Sequence, residues 1–370
     1  MVMIAGETVT SIDIGLFAII LVVLIAPFKV KIVEKNLEAF LFVMGALAVT
    51  VTAKWSSELV KLAAEEPILK GIVPAVLVAG LIFFYGKGAF QRLMNGITSK
   101  MPLPAIIFAA TFVLGLICSV ITAIISALFL CEIANLLPLN RKDKINFVII
   151  ACFAIGLGAV LTPLGEPLST IAITKLQGPP VYPGGPGNAG FFYLMNQLGV
   201  LIVLGVLACS VFAMFYVGKK AEKVEVTQMG TEAGGLREVF VRAGKVWLFV
   251  SALFLLGAGM EVLIFKYLVQ VPDYVLFWVN MVSAILDNAT LTAAEISPYM
   301  SQKQINAALY GLLISGGMLI PGNIPNIISA GKLGITSSEW AKLGVPVGLA
   351  LNAVYFVVVF VLGINPTLGL

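Results

Sequence analysis

The chain has 370 residues, 60% of them hydrophobic and 11% charged, with a formal net charge of +4 and no histidine. A charged fraction about half that of an average soluble domain leaves too little polar surface to cover so much apolar volume in water. Without histidine the commonest metal ligand and the commonest near-neutral proton carrier are missing, so any proton chemistry falls to carboxylates or lysines.

The four cysteines, Cys118, Cys131, Cys152 and Cys209, sit in apolar segments without CxxC or metal-type spacing and read as packing residues. P-loop, HExxH and GxSxG elements are absent, and no spacing argues for a hydrolase carboxylate pair, so neither an enzyme nor a resident cofactor is expected. Basic residues fall in short loops rather than one patch, which argues against a nucleic-acid partner and for a lipid bilayer as the environment.

Residues 1–70 read as N-terminal scaffold helices, with apolar runs at 14–28 and 39–53. An interfacial segment from Lys54 to Lys70, containing Trp55 and Glu65-Glu66-Pro67, follows outside the membrane. The first run lacks a basic leader and a clear cleavage site and is expected to be retained, starting outside. Lysines and arginines cluster at 29–35, 87–100, 141–144 and 219–245 and at Lys332 and Lys342, and placing these on the cytoplasmic face sets the topology. Lys54, Lys61 and Lys70 count against that assignment; Lys175, Lys266 and Lys303 also lie outside it.

A first repeat is expected over 71–218. After a span at 71–86, residues 104–138 begin and end beside basic loops, so they must enter from the cytoplasm and return as a re-entrant hairpin with its tip near Ser119 to Ser126. Residues 145–177 form a helix broken at Thr162–Ser169 (TPLGEPLS), where proline removes ladder bonds and glycine weakens the helix. A further span covers 190–217, and 219–244, with Gly234-Gly235, reads as a cytoplasmic linker.

The second repeat, 245–370, has the same order in the opposite orientation: a span at 245–269, a hairpin at 273–300 entering from outside, a broken helix at 305–332 interrupted by IPGNIPNIIS, and a span at 343–363. Pro163 and Pro167 are expected to match Pro321 and Pro325, and Ser119-Val-Ile and Glu132-Ile recur as Ser283-Ala-Ile and Glu295-Ile. The expected fold is an all-α polytopic membrane protein with inverted-topology repeats, about eight full spans plus two hairpins, and both termini outside.

Intramembrane ionisable groups ask for a functional explanation. Asp287, at the second tip in SAILDNATLTAAEISP, is as deep as the fold allows, with Asn288, Thr290 and Thr292 offering neutral oxygens around a small cation; the alternative is an N-cap for the second arm. Glu166 lies in the first helix break between Gly165 and Pro167, either in a cation site or capping a half-helix, and its counterparts are Asn323 and Asn326. Ser119, Thr122 and Ser126 serve either helix packing or the first tip, whereas Glu132 and Glu295 read as solvated or ion-paired structural groups.

The motifs SAILDNATLTAAEISP and IPGNIPNIIS resemble the hairpin-tip and unwound stretches of the ion transporter superfamily, which includes arsenite permeases, NhaD-type sodium/proton antiporters and sodium-coupled dicarboxylate carriers. Over residues 71–363 the chain is most similar to a prokaryotic branch regarded as cation permeases. The resemblance implies a prokaryotic inner-membrane homodimer with elevator-type movement and a cation site at each hairpin and broken-helix pair. Asp287, Asn288, Thr290, Asn323 and Asn326 would carry one site, and Ser119, Thr122, Thr162, Pro163, Gly165 and Glu166 the other; sodium would rest on Asp287, Asn288 and Glu166.

The dicarboxylate carriers have Ser-Asn-Thr at both tips, whereas here the first tip reads Ser119-Val-Ile-Thr122 and the second has Asp287 in place of serine. A fixed negative charge repels a dicarboxylate and attracts sodium or a proton. Sodium/proton exchange is therefore the leading expectation, sodium-coupled uptake of a small anion the alternative, and a channel or structural subunit a third reading.

Overall fold

The computed structural model describes residues 3–4, 7–30, 32–33, 36–69, 73–74, 77–78, 81, 85, 101–217, 236–263, 266–267, 270–285 and 288–369. Most of the expected span at 71–86, the loop at 87–100, residues 218–235 of the linker region and Asp287 lie outside the described residues.

Among the described residues, apart from a two-residue ladder of β1 (Met3–Ile4) and β2 (Glu7–Thr8), the regular structure is helical. The first part has α1 (Ser11–Lys29), α2 (Leu37–Val51), α3 (Ser57–Leu69), α4 (Leu103–Ile121), α5 (Ala123–Leu136), α6 (Arg141–Gly158, extended by a 3₁₀ turn to Leu161), α7 (Pro167–Lys175) and α8 (Tyr193–Tyr216). The second has α9 (Leu236–Leu263), α10 (Asp273–Val279, extended by 3₁₀ turns to Ala284), α11 (Asn288–Glu295), α12 (Gln302–Gly316), α13 (Ile324–Leu333) and α14 (Ser337–Phe356, with a π turn to Val361).

Leu103–Ile121, Arg141–Leu161, Tyr193–Tyr216 and Ser337–Val361 are long and apolar enough to cross a bilayer, with mean hydropathy of 2.2 to 2.7. Leu204, Phe212 and Phe215 of α8 remain exposed, as side chains facing lipid would. By contrast α6 is enclosed, with 89% of its most apolar window buried. It is the axis around which α4, α5, α8, α12, α13 and α14 pack.

Close helix contact follows from small residues. A Cβ on Gly45 of α2 would lie 2.8 Å from the Ala252 carbonyl oxygen of α9, and one on Gly259 would run into Ala48. Ion pairs of Lys245 with Glu38 (3.4 Å) and of Lys54 with Glu261 (2.5 Å) join the same two segments, so the helices run parallel. In both pairs the partners are 207 residues apart. Lys266 pairs with Asp13 at 2.7 Å and brings α1 against the C-terminal end of α9. Thus Lys54 and Lys266, two lysines that the charge rule did not accommodate, each have a carboxylate partner.

The chain turns at Thr122, whose φ of 79° is unusual for a β-branched residue. Up to that point α4 advances in step with α6: Gly115 backs onto Gly158, and Ser119 accepts a bond from Thr162. The step continues past the turn, where the Ala123 amide donates to the Gly165 carbonyl at 2.7 Å. α5 must then reach Arg141, roughly 25 Å away along α6 at 1.5 Å per residue, and therefore runs back beside it. Residues 103–136 thus form two helices that run in opposite directions from Thr122.

α6 and α12 each stop, pass through a short 3₁₀ turn and restart. Thr162 (φ −137°, ψ 160°) corresponds to Leu319 (−129°, 163°), and Glu166 (−155°, 162°) to Asn323 (−152°, 163°). The glycine before each restart is tightly confined, since a Cβ on Gly165 would overlap the Ala159 carbonyl and one on Gly322 the Gly316 carbonyl. All these correspondences are 157 positions apart in the chain.

Three expectations are corrected. The prolines are one position out of register: Pro163 corresponds to Ile320, and Pro321 to Leu164. The second break ends at Asn323 instead of running on to 329, because Pro325 occupies the first turn of α13, where its missing N–H has no intrahelical partner to lose. α9 likewise begins at Leu236 instead of 245.

Candidate functional site

At the first tip, Thr122 caps α5 by accepting from the Ile125 amide at 3.4 Å, and Ser119 donates to Leu116 O at 2.7 Å within its own helix. Thr162 donates to the Ser119 carbonyl, and Thr170 to that of Pro163 at 2.5 Å. The tip and the break are therefore one hydrogen-bonded unit. Gly165, with its carbonyl on Ala123, is its centre.

Glu166 is 5% exposed and stands at the N-cap position of α7 without a side-chain capping bond. Capping is therefore not what its carboxylate does. Its counterpart Asn323 does cap, accepting from the Asn326 amide at 3.2 Å. Asn326 in turn spans the second break, donating to Gly316 O (2.9 Å) and Leu319 O (2.8 Å). Ser283, in the 3₁₀ extension of α10, donates to Leu312 O at 3.1 Å and sets that segment against α12.

The two halves meet through their breaks. A Cβ on Gly156 of α6 would lie 2.7 Å from Asn323 Nδ2, so glycine there admits the asparagine side chain. Cys152 reaches Pro325 O and Ser329 Oγ at 3.6 and 3.4 Å. Helices far apart in the chain pack crosswise: α5 on α13 and α11 on α7. On the first crossing Lys332 pairs with Glu132 at 2.7 Å. On the second, Lys175 donates to Ala293 O (2.5 Å) and Ile296 O (2.9 Å), and Glu295 accepts from Asn280 at 2.9 Å.

Of the expected site residues, Ser119, Thr122, Thr162, Gly165 and Glu166 are brought together, as are Asn323 and Asn326. Asn288 starts α11 and is 2% exposed. Thr290 lies in the first turn of α11, its side chain outside the described residues, as is Asp287. Buried and without a protein partner are Ser126 Oγ, Asn288 Nδ2, Asn323 Nδ2 and Asn326 Oδ1. An unmet buried polar atom costs about 1–3 kcal/mol, so Asn323 Nδ2 and Asn326 Oδ1, both at the second break, mark a place for water or a ligand. Hydroxyl and amide oxygens suit a hard cation, whereas the amide N–H groups suit an anion.

Lys175, Lys332, Asn280 and Gly156 are additions to the expected set. The two lysines had a signal: each follows the residue that ends its break, Glu166 or Asn323, by nine positions. Among the described residues, no group of three or more His, Cys, Asp and Glu side chains is placed to hold a metal ion.

Apolar helices able to cross a bilayer, wrapped around an enclosed pair of polar helix breaks, define a helical membrane protein. Residues 14–362 match the model of a family described as a protein of unknown function, DUF1646, and the chain belongs to that family. The curated proteins contain no match to it.

Proposed function

We propose that the chain is a secondary active transporter exchanging sodium, or a related cation, for protons. The observation that carries this reading is the pair of helix breaks with matching backbone at Glu166 and Asn323, the second holding buried polar atoms of Asn323 and Asn326 that the protein leaves unpartnered. Unwound backbone within an apolar protein is tolerable where it lines a polar site, and paired discontinuous helices are how transporters build one.

On this reading the halves are inverted-topology repeats, each with a re-entrant hairpin, in a prokaryotic inner membrane. Arg141, Lys245 and Lys332 face the cytoplasm, and Lys54 and Lys266 lie outside with their carboxylates. The parallel course of α2 and α9 supports it, since both are expected to run outward from the cytoplasm. Asp287, with Glu166, takes either a proton or a sodium ion, and only the neutralised site crosses as the transport unit moves against the α1, α2 and α9 scaffold of a homodimer. The protein performs no covalent chemistry.

A second reading, sodium-coupled uptake of a small anion such as a mono- or dicarboxylate, is favoured by one observation: Asn288 Nδ2 and Asn323 Nδ2 are donors awaiting an acceptor. Reconstituted vesicles separate the two. Sodium-dependent collapse of a proton gradient without organic solute supports exchange; sodium-dependent accumulation of a labelled carboxylate without proton movement supports uptake.

A further inference from the structure

Glu132 lies in the last third of α5 and Glu295 ends α11, while Lys332 and Lys175 occupy matching places on the second half-helices, 157 positions apart. Each lysine crosses to the other half's hairpin, yet the two crossings are made differently. Lys332 closes on Glu132 at 2.7 Å. Lys175 places its ammonium on the Ala293 and Ile296 carbonyls, at the end of α11, while Glu295 accepts an amide N–H of Asn280.

Glu295 is 7% exposed, and its neighbour Asn280 is 2% exposed and carries no charge. Burying a carboxylate beside an uncharged donor is costly unless a cation or a proton neutralises it. The charged groups on the elements packed around α11 include Lys175 of α7, Lys303 at the start of α12 and, on α9, Arg237, Lys245, which pairs with Glu38, and Glu261, which Lys54 holds at 2.5 Å. Among the described residues, Lys175, bonded to carbonyls on either side of Glu295 in the chain, is the cation placed to balance it. A Cβ on Gly257 of α9 would lie 3.3 Å from Lys175 Nζ, so this head group sits between the hairpin arm and the scaffold helix.

We propose that Glu295 is a proton-binding site, with Lys175 as the positioning residue that takes up the carboxylate when the proton leaves. In the protonated form Lys175 stays on the two carbonyls. On release, the proton passes to water at the α11–α12 turn, and Lys175 leaves the carbonyls to pair with the carboxylate, as Lys332 already does with Glu132. The pair changes by one unit of charge, from +1 to 0. That lysine thereby links protonation to the grip of the first half on the second hairpin. The proton-binding step stands alone; its part in exchange rests on the transport reading above.

Infrared difference spectroscopy of the purified, reconstituted protein tests it, by following the stretch of a protonated carboxyl group as the pH is raised. The wild type should show a carboxyl band that disappears at alkaline pH, lost in Glu295→Gln and retained in Glu132→Gln. In Lys175→Met the band should persist at a pH where the wild type has already lost it, because the carboxylate no longer has its partner. This variant keeps Glu295, so the reading survives a folding failure of Glu295→Gln. A wild type with no such band, a band unaltered in Glu295→Gln, or the same titration in Lys175→Met and wild type would each overturn the proposal. If the band behaves as expected but wild-type vesicles exchange no ions, the transport reading fails and the proton site stands.

Discussion

The Ala123 amide donates to the Gly165 carbonyl at 2.7 Å and joins the turn of the first hairpin to the break in the helix that follows it. Tip and break can therefore move as one body. The arrangement depends on glycine, since a Cβ at 165 would overlap the Ala159 carbonyl, as one at 322 would overlap that of Gly316.

Gly165→Ala and Gly322→Ala should each destabilise the protein by about 1–3 kcal/mol, the usual range for overpacking a tight site. Gly178→Ala, where a Cβ would meet nothing within 4 Å, should be close to neutral. Thermal unfolding in detergent reads all three. Equal melting temperatures across the set would mean that the breaks are loosely packed.

The pairing of Lys332 with Glu132 is a partly buried ion pair, with side-chain exposures of 27% and 5%. Lys332→Met leaves a buried carboxylate uncompensated and should cost roughly 2–4 kcal/mol, below the fully buried range because the lysine is partly solvated. Adding Glu132→Gln should recover part of that loss. A double-mutant cycle with no coupling would show that the crossing contributes nothing to stability.

Both helix breaks, and the turn between α4 and α5, were legible from local patterns. Basic clusters bracketing an apolar run pointed to a chain that returns, and proline with glycine inside apolar stretches marked both breaks. The one-residue offset of the prolines was not legible. Proline can sit in the break or in the first turn of the next helix, and only the common backbone path through Gly165 and Gly322 decides between them. The crossed lysines were not legible either, because Lys332–Glu132 spans 200 residues and no local periodicity encodes a contact between halves. The capping role foreseen as an alternative for Glu166 falls to Asn323, its counterpart.

Sidedness can be tested with single cysteines, since the native Cys118, Cys131, Cys152 and Cys209 are free and buried. A membrane-impermeant maleimide applied to intact cells should label Val181→Cys, at an exposed loop position, and spare Lys142→Cys until the membrane is opened. The reverse pattern would invert the topology.

Glu166→Gln should shift or flatten the pH dependence of transport while leaving the fold intact, because the amide keeps the shape and removes the charge. Comparing transport across pH in vesicles of the variant and the wild type checks this. An unchanged profile would leave Glu166 a structural residue of the break.

Uptake of labelled sodium into acid-loaded vesicles containing the purified protein tests the transport reading most directly. Sodium should enter only while the interior is more acidic than the medium, expelling protons as it does, and Asp287→Asn should abolish both movements while the protein stays folded. Sodium entry independent of the proton gradient, or undiminished exchange by Asp287→Asn, would contradict the proposed mechanism.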